Sequence, residues 1–531
     1  MKISTTFDYN QVQFDKDNEL VLMTSVKAPK INLDKERVPL NLSLALDISG
    51  SMSGSKLDML KATVSKLIQQ LNEKDTLSIV SFSDYVEEVV APCTMTSINK
   101  DKASLEVSKL YVKGCTNMSG GLLKGFELVE KGDLAKDKIH RIFLFTDGQA
   151  NVGLTTKDQF VSMIKENIGD KPISISCFGY GGGYSEDLLK AISENGKGNF
   201  YFVSNTDDIN KTFARELGGL LSCFAQNVTI NLEIKENTGT FIEVLNNLTV
   251  DSKNDRQVKI TFDDIYSEEE KHLLIKVKLN KVTKAVTQRP SSIIKGKITY
   301  NDMTLSGKLK VTDVVAKIKF VKLDDVQKEA TLSVSEQIAI IELAKAHLKA
   351  KDLADRGDFK GARDSYTYIY TYVTQLQDRG SFWGPILCTN VNTATNNLNA
   401  SNYSTTVSNT LSSCSRGMSN YRSVDSSSNL YMNSTQKEME YKFKAPLDNI
   451  NVADLASDTS AVLTTPDAKI TVWGDNVIIN PSESVTVSDF SKIKFDSTTF
   501  TNLNLNQGAV KLNGISETSP KKENSLSKRR I

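Results

Sequence analysis

The chain has 531 residues, with 65 Lys and Arg against 64 Asp and Glu and a formal net charge of +1. That balance points away from a nucleic-acid binder or a membrane-surface protein, and the length predicts more than one domain. Six scattered cysteines (Cys93, Cys115, Cys177, Cys223, Cys388, Cys414) form no CxxC pair, and only His140, His272 and His347 supply imidazoles. A disulfide framework, a histidine-built zinc site and a serine–histidine triad all lack material.

In chain order, MKISTTFDYNQVQF is polar and has no signal-peptide core. No window approaches about 18 uncharged apolar residues, so a cytoplasmic chain without a membrane span is expected. TTFDYNQVQF and ELVLMTSVKAP read as strands over residues 1–36. Residues 37–223 then alternate strand and helix. Apolar strands read at VPLNLSLAL, TLSIVSFS, IHRIFLFT, ISISCFG and NFYFVS, with VEEVVAPC as a short edge strand. Helical periodicity falls at 55–71, 119–131, 156–168, 184–194 and 206–222. That rhythm predicts a doubly wound, mostly parallel, Rossmann-like sheet with helices on both faces.

Residues 224–325 return to period-2 alternation, as in NVTINLEIKE, QVKITFDDI and HLLIKVKLN. Two strands alone rarely make a stable unit, so the leading strands are expected to join these in a β-sandwich into which the α/β domain is inserted. Residues 326–430 turn helical. Ala339, Leu343, Ala346, Ala350 and Ala354 line one stripe, and Gly357-Asp358 makes the turn of a helical hairpin. The Tyr366/Tyr370 stripe reads as core, and residues 381–430, rich in Ser and Asn, read as helix mixed with loop. A small β-rich domain is expected over 431–516, with AKITVWGDNVIINP as its clearest stretch, and a disordered basic tail over 517–531. The tail's two basic clusters leave a nuclear address as a secondary reading. The EEEK run at 268–271 reads as solvated charge.

Chemistry gathers where three of the apolar strands end. LALDISGSMSGSKLDMLK stops a buried strand on Asp47 and follows it with Ser49, Ser51 and a helix. KGCTNMSGGL places Thr116 ahead of a helix start, and FLFTDGQAN places Asp147 at the end of another strand. Ligands bind at the carboxyl ends of strands in such sheets. Three hydroxyls and two carboxylates converging there suit a hard cation. Each loop alone reads equally well as a helix cap, with Ser51 or Ser53 as the capping residue.

Together the three pieces resemble the metal-ion-dependent adhesion site of von Willebrand factor type A domains, in the same order and the same strand–loop–helix context. The resemblance covers residues 37–223 strongly, the flanking strands weakly and residues past 380 not at all. It implies a divalent ion, Mg²⁺ or Mn²⁺, with Ser49, Ser51 and Thr116 as direct ligands and Asp47 and Asp147 one water away. Hydroxyl ligands leave the ion underneutralised, and Mg²⁺ keeps an octahedral oxygen shell. An Asp or Glu carboxylate from a protein partner would complete that shell. The function expected is a non-enzymatic, metal-dependent protein-binding module. The alternatives are a substrate-binding adaptor or structural subunit of an ATPase-chaperone or ubiquitin-ligase machine, and a metal-dependent phosphotransferase with Asp47 as nucleophile. The resemblance also implies that the closing helix, NTDDINKTFARELGGLLSCF, can slide; Gly218-Gly219 reads either as its flexible joint or as a plain helix end.

Overall fold

The computed structural model describes residues 1–33, 37–169, 171–180, 184–203, 206–248, 250–283, 289–422 and 431–444, together with the backbone of three short strands between 462 and 481. The chain divides into two compact units, Met1–Lys444 and Ala445–Ile531.

The first unit opens with β1 (Lys2–Phe7), β2 (Gln11–Gln13) and β3 (Asn18–Lys27). The α/β region follows. It comprises β4 (Leu40–Asp47), α1 (Ser55–Gln70), β5 (Thr76–Phe82), β6 (Val86–Thr94), α2 (Ser97–Ser108), α3 (Met118–Lys131), β7 (Ile139–Thr146), α4 (Lys157–Ile168), β8 (Ile173–Tyr180), α5 (Glu186–Asn195), β9 (Phe200–Val203) and α6 (Thr206–Leu221). Its six strands stand in the order β6-β5-β4-β7-β8-β9. All neighbours are parallel except the edge pair β5/β6.

Every residue of β4 is buried, as a central strand covered on both faces requires. The two-residue period sends Leu42, Leu44 and Leu46 to one face, against Leu60 and Val64 of α1 and Phe213 of α6. Ala45 faces the other way, with Ile142 and Leu144 of β7, Phe126 of α3 and Phe160 of α4. Asp75 anchors the start of β4. Its buried carboxylate accepts Leu40 N at 2.9 Å, Asn72 N at 2.7 Å and two Arg37 nitrogens at 3.1 and 2.6 Å.

Two sheets flank this region. One has the order β1-β3-β15-β11 and the other β12-β13-β10-β16-β17-β2, with β14 beside β10. The new strands are β10 (Cys223–Ile234), β11 (Gly239–Val244), β12 (Val250–Lys253), β13 (Gln257–Phe262), β14 (Ile265–Tyr266), β15 (Glu270–Leu279), β16 (Ser291–Asp302) and β17 (Lys308–Val321). β3 pairs with β15 from Lys27↔Glu270 to Asn18↔Leu279, and β2 pairs with the end of β17. Leu22 and Val26 of β3, Ile230 of β10, Ile275 of β15 and Ile318 of β17 share one apolar cluster.

The helices α7 (Leu332–Asp355), α8 (Phe359–Asp364), α9 (Thr367–Asp378), α10 (Trp383–Asn397), α11 (Thr405–Asn420) and α12 (Ser434–Lys444) close the unit. Ala339, Leu343, Ala350 and Ala354 are buried in one cluster. Gly357 takes φ 83° at the turn, where Asp358 caps α8 by accepting Gly361 N at 2.8 Å. The tyrosine stripe divides: Tyr366 is buried, while Tyr370 is 44% exposed.

Two expectations fail here for physical reasons. The reading of β structure from residue 431 is wrong at its start, because Ser434–Lys444 is helical. Met439 and Phe443, one helical turn apart, are buried in the α/β core. Nor does Gly218-Gly219 end its helix, which runs on to Leu221. A Cβ on Gly218 would stand 2.8 Å from Gln436 Cα, and one on Gly219 would stand 2.5 Å from the Tyr266 ring. These glycines let α12 and Tyr266 press against the backbone of α6. In the second unit, Val462–Thr464, Ala468–Trp473 and Asn476–Pro481 form an antiparallel three-stranded sheet. The tail expected over 517–531 lies outside the described residues.

The EEEK run is also not solvated throughout, since Glu269 and Lys271 are buried. Arg422, just past α11, donates to Glu269 Oε1 at 2.9 Å and to Asn199 Oδ1 at 3.1 Å, with the Tyr266 ring 4.1 Å from its guanidinium. Arg141 of β7 donates to Asp264 at 2.7 Å. Glu216 of α6 accepts from Ser176, Asn199 and Tyr201 at 2.5, 2.8 and 2.6 Å. A buried charge network thus binds the α/β region to the β sheets and the helices.

Candidate metal centre

Asp47 is the last residue of β4, and the loops around it are sewn together through the backbone. Ile48 N donates to Phe82 O at 3.0 Å, Lys113 N to Ile48 O at 2.7 Å, Gly50 N to Gly114 O at 3.0 Å and Asn117 N to Ser83 O at 2.8 Å. Thr116 is held by the loop after β7: its N–H donates to Asn151 Oδ1 at 2.8 Å, and its carbonyl accepts from Asn151 N and Val152 N.

The serines have no capping duty. A short 3-10 turn covers Gly50–Met52, and Ser49 ahead of it makes no side-chain cap bond. α1 starts after Gly54, again with no side-chain cap. The helix after Thr116 is capped by Asn117, which accepts Gly120 N at 3.0 Å. The capping alternative therefore fails at these positions.

All five candidates come together. Asp47 Oδ1 accepts Ser49 N at 2.8 Å, and its Oδ2 accepts the Thr146 hydroxyl at 2.5 Å. Ser49 Oγ and Ser51 Oγ are 3.1 Å apart, and Ser51 donates to Asp147 Oδ1 at 2.6 Å. Gly148 opens the space between them: a Cβ there would stand 3.3 Å from both Ser51 Oγ and Thr116 Oγ1, and 4.0 Å from Asp47 Oδ2. Asp47, Ser49, Thr116 and Asp147 are buried, and Ser51 is exposed. Burial pushes the Asp47 carboxyl up to about 6, with the charge of Asp147 adding to it, against the hydrogen bonds from Ser49 and Thr146.

This donor set fits a small divalent ion. Adjacent ligands of an octahedral Mg²⁺ at about 2.1 Å lie about 3 Å apart, which is the separation of the two serine oxygens. Because Ser51 turns its proton toward Asp147, its lone pairs are free to face a cation, an outer-shell orientation of the kind carboxylates provide. Among the described residues, no group of three or more His, Cys, Asp or Glu is gathered for a metal, so any cation here depends on hydroxyls.

Three neighbours escaped the sequence reading. Thr146 stood in the FTDG motif but carries a hydroxyl rather than a charge, and Gly148 shows its role only as space. Lys56, in the first turn of α1, gives its ammonium to Asp147 Oδ2 and, at 3.1 Å, to Ser51 O. Its spacing from Ser51 on a helix start was the available signal.

An α/β sheet of this strand order, with hydroxyls and carboxylates at the carboxyl ends of its central strands, defines the class. Residues 41–215 match the family model of the von Willebrand factor type A domain, and the chain carries that domain. Over 195 residues the chain is 28% identical to the uncharacterized protein YfbK of Escherichia coli, covering 36% of this chain and 33% of that protein. Over 207 residues it is 28% identical to the uncharacterized protein sll0103 of Synechocystis, covering 39% and 48%. Over 193 residues it is 31% identical to human inter-alpha-trypsin inhibitor heavy chain H3, covering 34% and 19%. The chain thus spans less than half the length of these relatives. Its fold is similar to a von Willebrand factor type A protein from Catenulispora acidiphila, with TM-score 0.59 and 14% identity over 78% of this chain and 96% of that one. It is also similar to the ArnB paralog VWA2 of Sulfolobus acidocaldarius, with TM-score 0.51 and 16% identity over 78% and 97%. Both likenesses reach well beyond residues 41–215. Domains of this family are interaction modules, often acting through a metal-ion-dependent adhesion site. Among the described residues no helix is long and apolar enough to cross a membrane.

Proposed function

We propose that this chain binds a protein partner through a divalent ion, Mg²⁺ or Mn²⁺, held directly by Ser49, Ser51 and Thr116. Asp47 and Asp147 balance its charge through water, and an Asp or Glu of the partner supplies the last ligand. The observation that carries the reading is that the Ser51 and Thr116 hydroxyls border the space left by Gly148, with Ser49 Oγ 3.1 Å from Ser51 Oγ and the Ser51 proton turned aside to Asp147. The role is binding rather than catalysis: the carboxylates already accept hydrogen bonds from Ser49, Thr146, Ser51 and Lys56, so Asp47 is an orienting group rather than a nucleophile. None of the six cysteines is in a disulfide, which favours a reducing, cytoplasmic compartment.

Titration with Mn²⁺ in a calorimeter tests the assignment. The native chain takes up one ion weakly, and Asp47→Ala and Ser51→Ala each lower the affinity by about tenfold or more. Unchanged affinity in both variants overturns the site.

We also infer that residues 1–36 and 224–325 form one β-sandwich interrupted by the domain at 37–223. The pairing of β3 with β15 and of β2 with β17 supports this. A helical region over 326–444 and a separate small β-rich unit from 445 follow.

A further inference from the structure

Where α5, β13, α7 and α11 meet, away from the metal centre, a polar cavity of about 230 Å³ is lined by Lys190, Glu194, Asn247, Thr261, Asp263 and Arg416, with serines of α11 and two leucines. It shares no residue with the candidate metal centre. Its distinctive member is Arg416, whose side chain is only 10% exposed.

The Arg416 Nη2 donates to Ser193 Oγ at 3.0 Å and reaches Gly198 O at 3.5 Å. Its Nε and Nη1 have no hydrogen-bond partner. The nearest carboxylate oxygen, Glu194 Oε1, stands 3.7 Å from Nη1 on a side chain that is half exposed. A guanidinium presents two edges that match a carboxylate, one through Nε and one through Nη1. Both keep an unused donor here. Burying donors without partners is costly, and donors left open beside a cavity can be met by an acceptor that enters it.

The other charges narrow the ligand. A bare anion would gain Arg416 and Lys190 but meet Asp263 and Glu194. A molecule carrying both an ammonium and a carboxylate satisfies both pairs. The hydroxyls and amides of the wall serve polar groups, and the two leucines leave room for a short apolar one. The volume falls below the roughly 300–1,000 Å³ of pockets for drug-sized ligands, so the occupant is small.

We propose that this cavity binds a zwitterionic metabolite of the free α-amino-acid class, its carboxylate on Arg416 and its ammonium at Asp263. Because the wall combines α5 of the α/β domain, β13 of a flanking sheet and α11 of the helical region, the ligand clamps these three parts together.

Thermal unfolding of the full chain tests this, with each standard L-amino acid added in turn at about 10 mM and with acetate and methylammonium as half-ligands. At saturation, at least one amino acid raises the melting temperature by about 2 °C or more, while acetate and methylammonium alone do not. Asp263→Asn and Arg416→Lys each weaken the effect about tenfold. If Arg416→Lys does not fold, the half-buried Asp263→Asn decides alone. The proposal falls if no amino acid shifts the transition, if acetate alone matches the shift, or if the shift survives in the folded variants.

Discussion

The α/β region and the two sheets beside it solve the same problem in opposite ways. β4 to α6 is one continuous stretch of chain, and its sheet is parallel except at the β5/β6 edge and packs apolar side chains on both faces. The flanking sheets are antiparallel except where β2 joins β17, and they are discontinuous, with residues 2–27 meeting residues 223–321. The continuous region gathers hydroxyls and carboxylates at the carboxyl ends of its central strands. The discontinuous one borders on buried charge, where Arg141, Glu216, Asp264, Glu269 and Arg422 meet. The difference separates a polar cluster at the end of a sheet from a charged junction between sheets.

The largest effect should come from breaking the discontinuous partner. Deleting residues 1–36 strips β15 of its ten-residue partner β3 and opens two sheet edges. The truncated chain should be insoluble, whereas a soluble, monomeric product with native circular dichroism would mean that the leading strands are dispensable.

A smaller effect is expected from the junction. Arg422→Met leaves Glu269 buried without its cation and should lower stability by about 3–5 kcal/mol, measured by urea unfolding. The double variant Arg422→Met/Glu269→Leu should recover much of that loss. No recovery would show that Arg422 acts through packing on Tyr266 instead.

The smallest effect is a pH dependence, carried by His347 of α7 and His272 of β15. Burial holds His347 and His272 down to about 4, against about 6.5 unfolded. The folded state then binds fewer protons, so their contribution is intact above pH 6.5 and is lost as pH falls toward 4, by up to about 3 kcal/mol each. Asp8 and Asp47, pushed up to about 6 by burial, act in the opposite sense, favouring the folded state as pH falls from 6 toward 3.8. The native curve is therefore shallow. His347→Gln should remove the histidine share and leave a variant that loses less stability on acidification; a slope unchanged from the native chain would deny His347 that role.

Much of the continuous region was legible because its signals are local. Strand alternation, the Asp47-Ile48-Ser49-Gly50-Ser51 loop and the FTDG turn each lie within a few residues, whereas the order of the strands, with β7 rather than β6 beside β4, has no local signal. The helix Ser97–Ser108 was not legible, since only Ala103 and Val107 are buried in it. Ser434–Lys444 was missed because its apolar face is two residues wide. The junction was hidden more deeply. An Arg, Asp or Glu reads as solvated until a distant partner is known, and the partners of Glu269 and Arg141 lie 153 and 123 residues away. Lys56 was overlooked for the opposite reason, as one more charge on an amphipathic helix.

The pairing of β3 with β15 has a consequence for how the chain is made. Lys27 and Glu270 are 243 residues apart, so at about 5–20 residues per second β3 emerges some 12–50 s before its partner strand exists. During that interval Leu20, Leu22 and Val26 have no core to enter. The α/β domain, complete by residue 221, can close while translation continues. Newborn chains therefore pass through a state with a finished domain and an orphaned leading hairpin, β1 with β3. In that window ribosome-bound chaperones have the most to shield, and slowing translation between residues 222 and 279 lengthens the hazard.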